Sequence, residues 1–450
     1  MIAGHSVHAI LIAGAVWLAA VAALTFAMRE RPQAFPLLAV IALPFRVPLS
    51  LEGRTVNLLI PLYAVVAAGA LAHLLPRVLK RQSAYLSGRP PMLLDWLLSA
   101  SVLVYAVQIA YSSDRVKGVE NLVFFYIPFL LLYLLLREAP WTRGMVFACF
   151  GAAVALAVLF AGVGFVEYGR KQLLLNPKVV AANQYDNYFR VNSLFFDPSI
   201  YGRFLALVML GVTTAVLWTR RRREVLLGAA VLAWLWGGLI TSFSQSSIAA
   251  LLLGLAVLAA CRWDMRSTAY VAAGLVAIVL VAVLMAPPSL HLGLSGSKGS
   301  ANNATSGRAK LVTGGLKLFA DRPLQGFGSG SFEREYVRHN GVSGAGATSA
   351  SHTIPVTIAA EQGIAGLALY LTLLVTAFLV LFSDAGRSPP RIVIAACFAA
   401  LVLHTFIYAD FLEDPMTWTL LGIGVALQSA PYRSLPPADT PAARRVPVAG

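Results

Sequence analysis

The sequence predicts an all-α polytopic integral membrane protein, with about 12–13 transmembrane helices and one large extracytoplasmic loop. Three observations carry that class. Of 450 residues, 58% are hydrophobic and only 12% charged, far from the averages of soluble domains. The apolar residues come in runs of roughly 20, the length that crosses a hydrocarbon core. A single long polar stretch, 288–352, interrupts them, and connectors between packed elements are seldom that long without a job.

Taken in order, the runs expected to span are 7–28, 33–51, 56–76, 91–111, 120–136, 144–168, 198–219, 225–242, 247–262, 268–287, 354–382, 391–410 and 415–430. The first has no basic n-region and is long enough to span, so it is expected to be a mature helix rather than a cleaved signal. The second holds Pro36, Pro44 and Pro48 and is expected to be kinked or re-entrant if it spans. No internal repeat stands out. The chain therefore divides into N-terminal transmembrane helices (1–287, with a basic outer loop at 169–197), the large loop (288–352), C-terminal transmembrane helices (353–430) and a cytoplasmic tail (431–450). The tail is rich in Pro and Ala and is expected to be disordered.

The net charge of +15 belongs to a membrane topology rather than to nucleic-acid binding. Arg29/Arg31, Arg77/Lys80/Arg81/Arg89, Arg137/Arg143, Arg220–Arg223, Arg262/Arg266 and Arg387/Arg391 fall in alternate short loops, which assigns those loops and the tail to the cytoplasm. The loops 112–119, 169–197, 243–246, 288–352 and 411–414 then face outward. Two of these are also basic, over 170–203 and 298–338, and long loops are exempt from the charge bias. Arginines beside an outer membrane surface suit an anionic ligand, since the guanidinium fork fits phosphate. Cys149, Cys261 and Cys397 all lie in or at the ends of apolar runs and read as packing residues. No metal-binding spacing and no P-loop is present, so no metal and no cofactor is expected.

Three constellations can carry chemistry. The first runs from Arg190 through Asp197-Pro198 to Arg203. Asp197 is a good N-cap with Pro at the first helical position, and the helix N-terminus adds its positive end to the two arginines, a combination able to hold phosphate. The alternative is a plain interfacial helix start, with Arg203 snorkelling to headgroups. The second lies in the long loop, which has seven basic residues (Lys298, Arg308, Lys310, Lys317, Arg322, Arg334, Arg338) against three acids (Asp321, Glu333, Glu335). It includes Gly326-Phe-Gly328-Ser-Gly330, whose spacing is wrong for a dinucleotide site and reads as a turn of close backbone packing. The third is Ser351-His352 leading to Glu361-Gln-Gly363-Ile-Ala-Gly366. His352 stands where the loop re-enters the membrane, a position for a base or hydrogen-bond donor; the alternative is a structural interfacial histidine. Gly363 and Gly366 suit close helix packing. Asp410, Glu413 and Asp414, near His404, cluster at the outer end of a late span and are candidates for positioning a hydroxyl or pairing with arginines; solvated helix ends are the alternative.

These segments, in this order, resemble the bacterial O-antigen ligase and O-antigen polymerase superfamily. Arg190-Val-Asn-Ser-Leu-Phe-Phe-Asp-Pro198 resembles its Arg-x-x-Gly-x-Phe-x-x-Pro-Asn segment. Arg308 with Pro323-Leu-Gln-Gly-Phe-Gly-Ser-Gly-Ser-Phe332 is similar to its Arg-bearing helix and Pro-x-x-Gly-x-Gly turn. Ser351-His352 with Ala360-Glu-Gln-Gly-Ile-Ala-Gly366 is similar to its Ser-x-His-Asn and Ala-Glu-x-Gly-x-x-Gly signatures. Ser199 and Thr353 replace the expected asparagines, and Gln245 stands where the family often has arginine.

The resemblance implies a multi-pass enzyme of the bacterial cytoplasmic (inner) membrane with its active site facing the periplasm or cell exterior. It implies transfer of a glycan from an undecaprenyl-pyrophosphate carrier to an acceptor hydroxyl, without metal or nucleotide sugar. The implied partners are the lipid-linked donor, a glycolipid or glycan acceptor and the bilayer. Arg308 and Arg190 are the expected catalytic residues with His352; Arg203, Lys310, Arg322 and Arg338 are expected to hold the pyrophosphate, and Asp410, Glu413 and Asp414 the acceptor. A polymerase joining lipid-linked repeat units is the nearest alternative, since it differs only in acceptor. A lipid-linked oligosaccharide flippase or transporter ranks below both, because it predicts midplane charges and paired repeats.

Overall fold

A computed structural model describes residues 7–51, 54–79, 90–174, 189–263, 308–341, 353–408 and 410–428. The predicted span 268–287 and the tail lie outside these residues. Eight of the described helices are long and apolar enough to cross a membrane, in line with an all-α polytopic membrane protein. In chain order the helices are α1 (Val7–Glu30), α2 (Ala34–Ala42), α3 (Ile60–Leu74, running on to Val78), α4 (Leu93–Ile109), α5 (Arg115–Glu138), α6 (Arg143–Arg170) and α7 (Pro198–Trp218). They continue as α8 (Arg222–Thr241), α9 (Gln245–Arg262), α10 (Arg308–Asp321), α11 (Phe332–Asn340), α12 (Ile354–Phe382), α13 (Pro389–Ile407) and α14 (Pro415–Ala426).

The expected span 33–51 is corrected. Its helix α2 has only 9 residues, and the chain then turns into a two-stranded antiparallel hairpin, β1 (Val47–Leu51) and β2 (Arg54–Leu58), in the register Val47↔Leu58 to Leu51↔Arg54. Prolines decide this. Pro36 sits in the first turn of α2, where its missing N–H costs nothing, but Pro44 has no N–H to give Val40 and the helix stops at Ala42. The next run also starts later than expected, because 54–58 belongs to β2 and α3 begins only at Ile60.

Two apolar cores share one seam. The first gathers α1–α5 with α12 and α14 around Phe35, Phe129, Tyr133, Phe398 and Trp418. The second gathers α6–α9 around Phe160, Tyr201, Phe204 and Leu239. Helix α13 belongs to both: Phe398 faces the first core, and Ile392, Ala396 and Cys397 face the second. Cys149, Cys261 and Cys397 form no disulfide, and the first and last are buried in these cores, the packing role expected of them.

The loop helices α10 and α11 make a small core of their own, with Leu311, Leu318, Phe327, Phe332 and Tyr336 closing over Ala360 of α12. That satellite core binds the polar loop to one end of the bundle.

Candidate active site

Helix α7 begins as its sequence predicts. Asp197 is the N-cap, its Oδ1 accepting from the backbone N–H of Ser199 at 2.6 Å, and Pro198 occupies the first helical position. The segment before it is pinned from two sides. Arg190 donates through Nε to the Ser242 carbonyl at 3.2 Å, and the Ser193 amide donates to Glu167 Oε2 of α6 at 2.8 Å. The polar break between α8 and α9 closes against α7, where Ser247 Oγ donates to the Ser199 carbonyl at 3.0 Å. Ser246 Oγ lies 3.2 Å from His404 Nε2 of α13, which is fully buried.

One turn into α7, Arg203 points to the start of α14. Its Nη2 lies 2.6 Å from Asp414 Oδ2, and the two residues are 1% and 2% exposed. Asp414 is itself the N-cap of α14, its Oδ1 accepting from the Met416 amide at 3.0 Å. Arg203 Nε and Nη1 are buried and have no hydrogen-bond partner among the described residues. A buried donor without a partner costs roughly 1–3 kcal/mol, a deficit that an anionic ligand removes. Arg46, between α2 and β1, completes the group: its guanidinium lies 4.6 Å from the centre of the Phe196 ring and within electrostatic reach of Asp414, Asp410 and Arg203.

Beside this group opens a cleft of about 70 Å³, lined by Lys117, Asn121, Glu333, Glu361, Asp410 and Glu413 among others. Asp410 is common to both, since it lines the cleft and interacts electrostatically with Arg203, Arg46 and Glu413. Burial pushes the Glu413 carboxyl up to about 8, with help from the like charge of Asp410, so it holds its proton at neutral pH. Asp410 is raised by burial too, against the pull of Arg203 and Arg46. Asn121 of α5 donates from Nδ2 to Glu413 Oε1 at 2.9 Å and to the Tyr105 hydroxyl at 3.1 Å.

The long loop reaches the cleft through its glycine turn. Gly326, Gly328 and Gly330 have φ of +68°, +93° and +79°, a region that disfavours any side chain. A Cβ on Gly328 would overlap Ser112, and one on Gly326 would overlap the Glu361 carbonyl. The turn packs into a break in α12 at Gly363 (φ +65°, ψ −163°), where the close approach expected of this glycine is to the backbone of Leu324. The break frees backbone groups in the apolar helix, and the turn satisfies them. Phe327 N–H donates to the Ala360 carbonyl at 3.1 Å, Gly328 N–H to the Glu361 carbonyl at 2.8 Å, and Ile364 N–H to the Pro323 carbonyl at 2.8 Å. The Glu361 carboxylate then accepts from Gly330 N–H at 2.9 Å and Phe332 N–H at 3.0 Å.

The expected site residues thus fall into three sets. Arg203, Asp410, Glu413 and Asp414 are joined by the contacts above, and Arg190 is held separately on the Ser242 carbonyl. Lys310, Arg322 and Arg338 are exposed on or beside the loop helices, with the Arg322 guanidinium 4.5 Å from the centre of the Phe327 ring. Arg308 opens α10, and His352 lies outside the described residues. Sequence reading missed Arg46, Asn121 and Lys117. Arg46 sits in a run taken for a membrane span, and an arginine inside such a run was the available signal. Nothing local marks Asn121 or Lys117.

Residues 230–371 match the family model Wzy_C, described as O-Antigen ligase. That segment supports the O-antigen ligase and polymerase superfamily, the class that the motifs resemble, and its members are enzymes. The match runs from within α8 through the loop helices into α12, so it includes Arg308, Glu361 and the glycine turn. Arg190, Arg203 and the acids at 410–414 lie outside it. No curated protein matches the chain.

Proposed function

We propose that this protein is a membrane glycosyltransferase that moves a glycan from an undecaprenyl-pyrophosphate carrier to an acceptor hydroxyl at the outer side of the bacterial inner membrane, in the manner of an O-antigen ligase. The observation that carries the proposal is Arg203: a buried guanidinium with two unpartnered nitrogens, Nε and Nη1, beside Arg46 and near the N-terminus of α7. A diphosphate supplies acceptors for those donors, and a helix N-terminus adds to the attraction. Arg190 and Arg308, with Lys310, Arg322 and Arg338 of the loop, add positive charge around the carrier's headgroup, while its lipid tail lies among apolar helices.

In the reaction the acceptor oxygen forms a bond to the anomeric carbon as the bond from that carbon to the diphosphate oxygen breaks. The acceptor proton passes to a base, and negative charge grows on the departing diphosphate. Arginines aimed at that charge stabilise the transition state more than the ground state. His352 orients or deprotonates the acceptor hydroxyl, and Asp410, Glu413 and Asp414 position it. The reading includes no metal.

The test uses purified protein in nanodiscs, the lipid-linked glycan alone, and then a candidate acceptor lipid. Product on the acceptor with release of the diphosphate carrier, unchanged by EDTA, is the expected result. Lengthening of the glycan without acceptor identifies a polymerase instead. Full activity in both folded Arg203→Ala and His352→Ala variants defeats the assignment.

A further inference from the structure

We infer that the cleft between α5, α11, α12 and the 410–413 turn is a sugar subsite that admits an uncharged or amine-bearing glycan and rejects one carrying carboxylate groups. This rests on the glycan-transfer reading and names the chemistry of its acceptor. Four carboxyl side chains line the cleft (Glu333, Glu361, Asp410, Glu413) against one amine, Lys117. Arg203 and Arg46 interact with Asp410 but do not line the cleft. With Glu413 protonated at neutral pH, Glu333, Glu361 and Asp410 still stand against Lys117, so the cleft is acidic where the neighbouring arginine group is cationic.

A cluster of acids is often only a solvated surface, and a separate feature argues otherwise here. Asn121 is 4% exposed and lines the cleft, yet its Oδ1 has no hydrogen-bond partner among the described residues. Its Nδ2 is held by Glu413 and the Tyr105 hydroxyl, so the amide is fixed with an acceptor oxygen unused. A sugar hydroxyl or ammonium supplies the missing donor. Carboxylate oxygens accept from such groups as well, whereas the C6 carboxylate of a uronate replaces a hydroxyl donor with like-charged acceptors. The mixture of fixed amide, carboxyls and partly apolar wall, including Tyr126 and Ile358, suits a hydroxylated ring with one apolar face.

The long loop takes part, because Glu333 and Gly330 belong to it. The Glu361 carboxylate clamps the amides of Gly330 and Phe332, which keeps that wall in place. The glycine turn thereby becomes a wall of the acceptor site as well as a plug in the broken helix.

The test is direct binding to the full chain in nanodiscs, followed by saturation-transfer NMR and calorimetry, with no lipid donor present. The probes are a neutral hexose trisaccharide, a glucosamine trisaccharide and a hexuronate trisaccharide. The first two are expected to bind at least about tenfold more tightly than the third, the scale of one well-placed hydrogen bond. Asn121→Ala is expected to weaken the neutral probe about tenfold on the same scale. Because Asn121 also touches Tyr105, Glu333→Lys at the exposed rim serves as the second variant; it should narrow the gap between neutral and uronate probes. Equal or tighter binding of the uronate overturns the inference. So does failure of all three probes to bind a preparation that still turns over its lipid-linked donor. Retained selectivity in a preparation without any transfer activity supports the subsite and counts against the transferase reading alone.

Discussion

At the scale of single residues, the Arg203–Asp414 pair governs this end of the molecule. Both side chains are almost fully enclosed, so removing one strands the other's charge. Asp414→Ala should therefore destabilise the protein by about 3–5 kcal/mol, read from thermal or denaturant unfolding in detergent. Arg203→Lys keeps the charge but loses the fork, and should cut transfer more than tenfold, the loss expected when a bidentate contact to phosphate becomes a point contact. Glu413 sets a pH dependence. Its carboxyl titrates at about 8 in the folded chain against 4.5 for an ordinary glutamate, so the folded state holds the proton more firmly. That contribution is full below the unfolded value and is lost as pH rises through the folded one. Stability should fall between roughly pH 4.5 and 8, and Glu413→Gln should flatten that slope in melting curves taken across the range.

At the scale of elements, the junction of the broken helix and the glycine turn is the most demanding piece of backbone. Gly363 and Gly328 both have positive φ, and a Cβ on either would overlap backbone, with Leu324 and Ser112 respectively. Gly363→Ala or Gly328→Ala should release the turn from α12 while leaving the apolar helices in the membrane. Limited proteolysis within 308–341 should then speed up several-fold and transfer should fall, with helical content by circular dichroism nearly unchanged. Equal protease resistance in the variants would show that the turn's seat is not its glycines. The same junction bears on the transporter alternative. A helix broken at membrane depth is a device of transporters, but the break at Gly363 is filled by the chain's own loop through three backbone hydrogen bonds.

At the scale of the whole molecule, the basic loops predict which end faces out. Leu324 in the glycine turn is 75% exposed and Arg221 before α8 is exposed as well, at opposite ends of the bundle in the predicted topology. In a background lacking the three native cysteines, Leu324→Cys should label with an impermeant maleimide in intact spheroplasts. Arg221→Cys should label only after the membrane is opened. The reverse pattern would turn the site toward the cytoplasm and remove the lipid-linked donor from its reach.

The sequence by itself determined what depends on neighbours along the chain. Apolar runs of membrane length gave most of the spans, Asp197-Pro198 gave the start of α7, and the alternating glycines gave a tight turn. The arginines and acids were visible as residue types, and the motifs of 308–366 pointed to the family that residues 230–371 match. The tertiary structure alone decided which of them meet. Arg203 pairs with Asp414 from the far end of the chain, Arg46 joins them from a segment that resembled a span, and Asn121, one of its oxygens unused, comes to line a cleft built from α5, α11 and α12. Such meetings depend on how helices pack across two cores, and packing is decided by shape and burial over the whole bundle, which no local pattern of hydrophobicity or charge encodes.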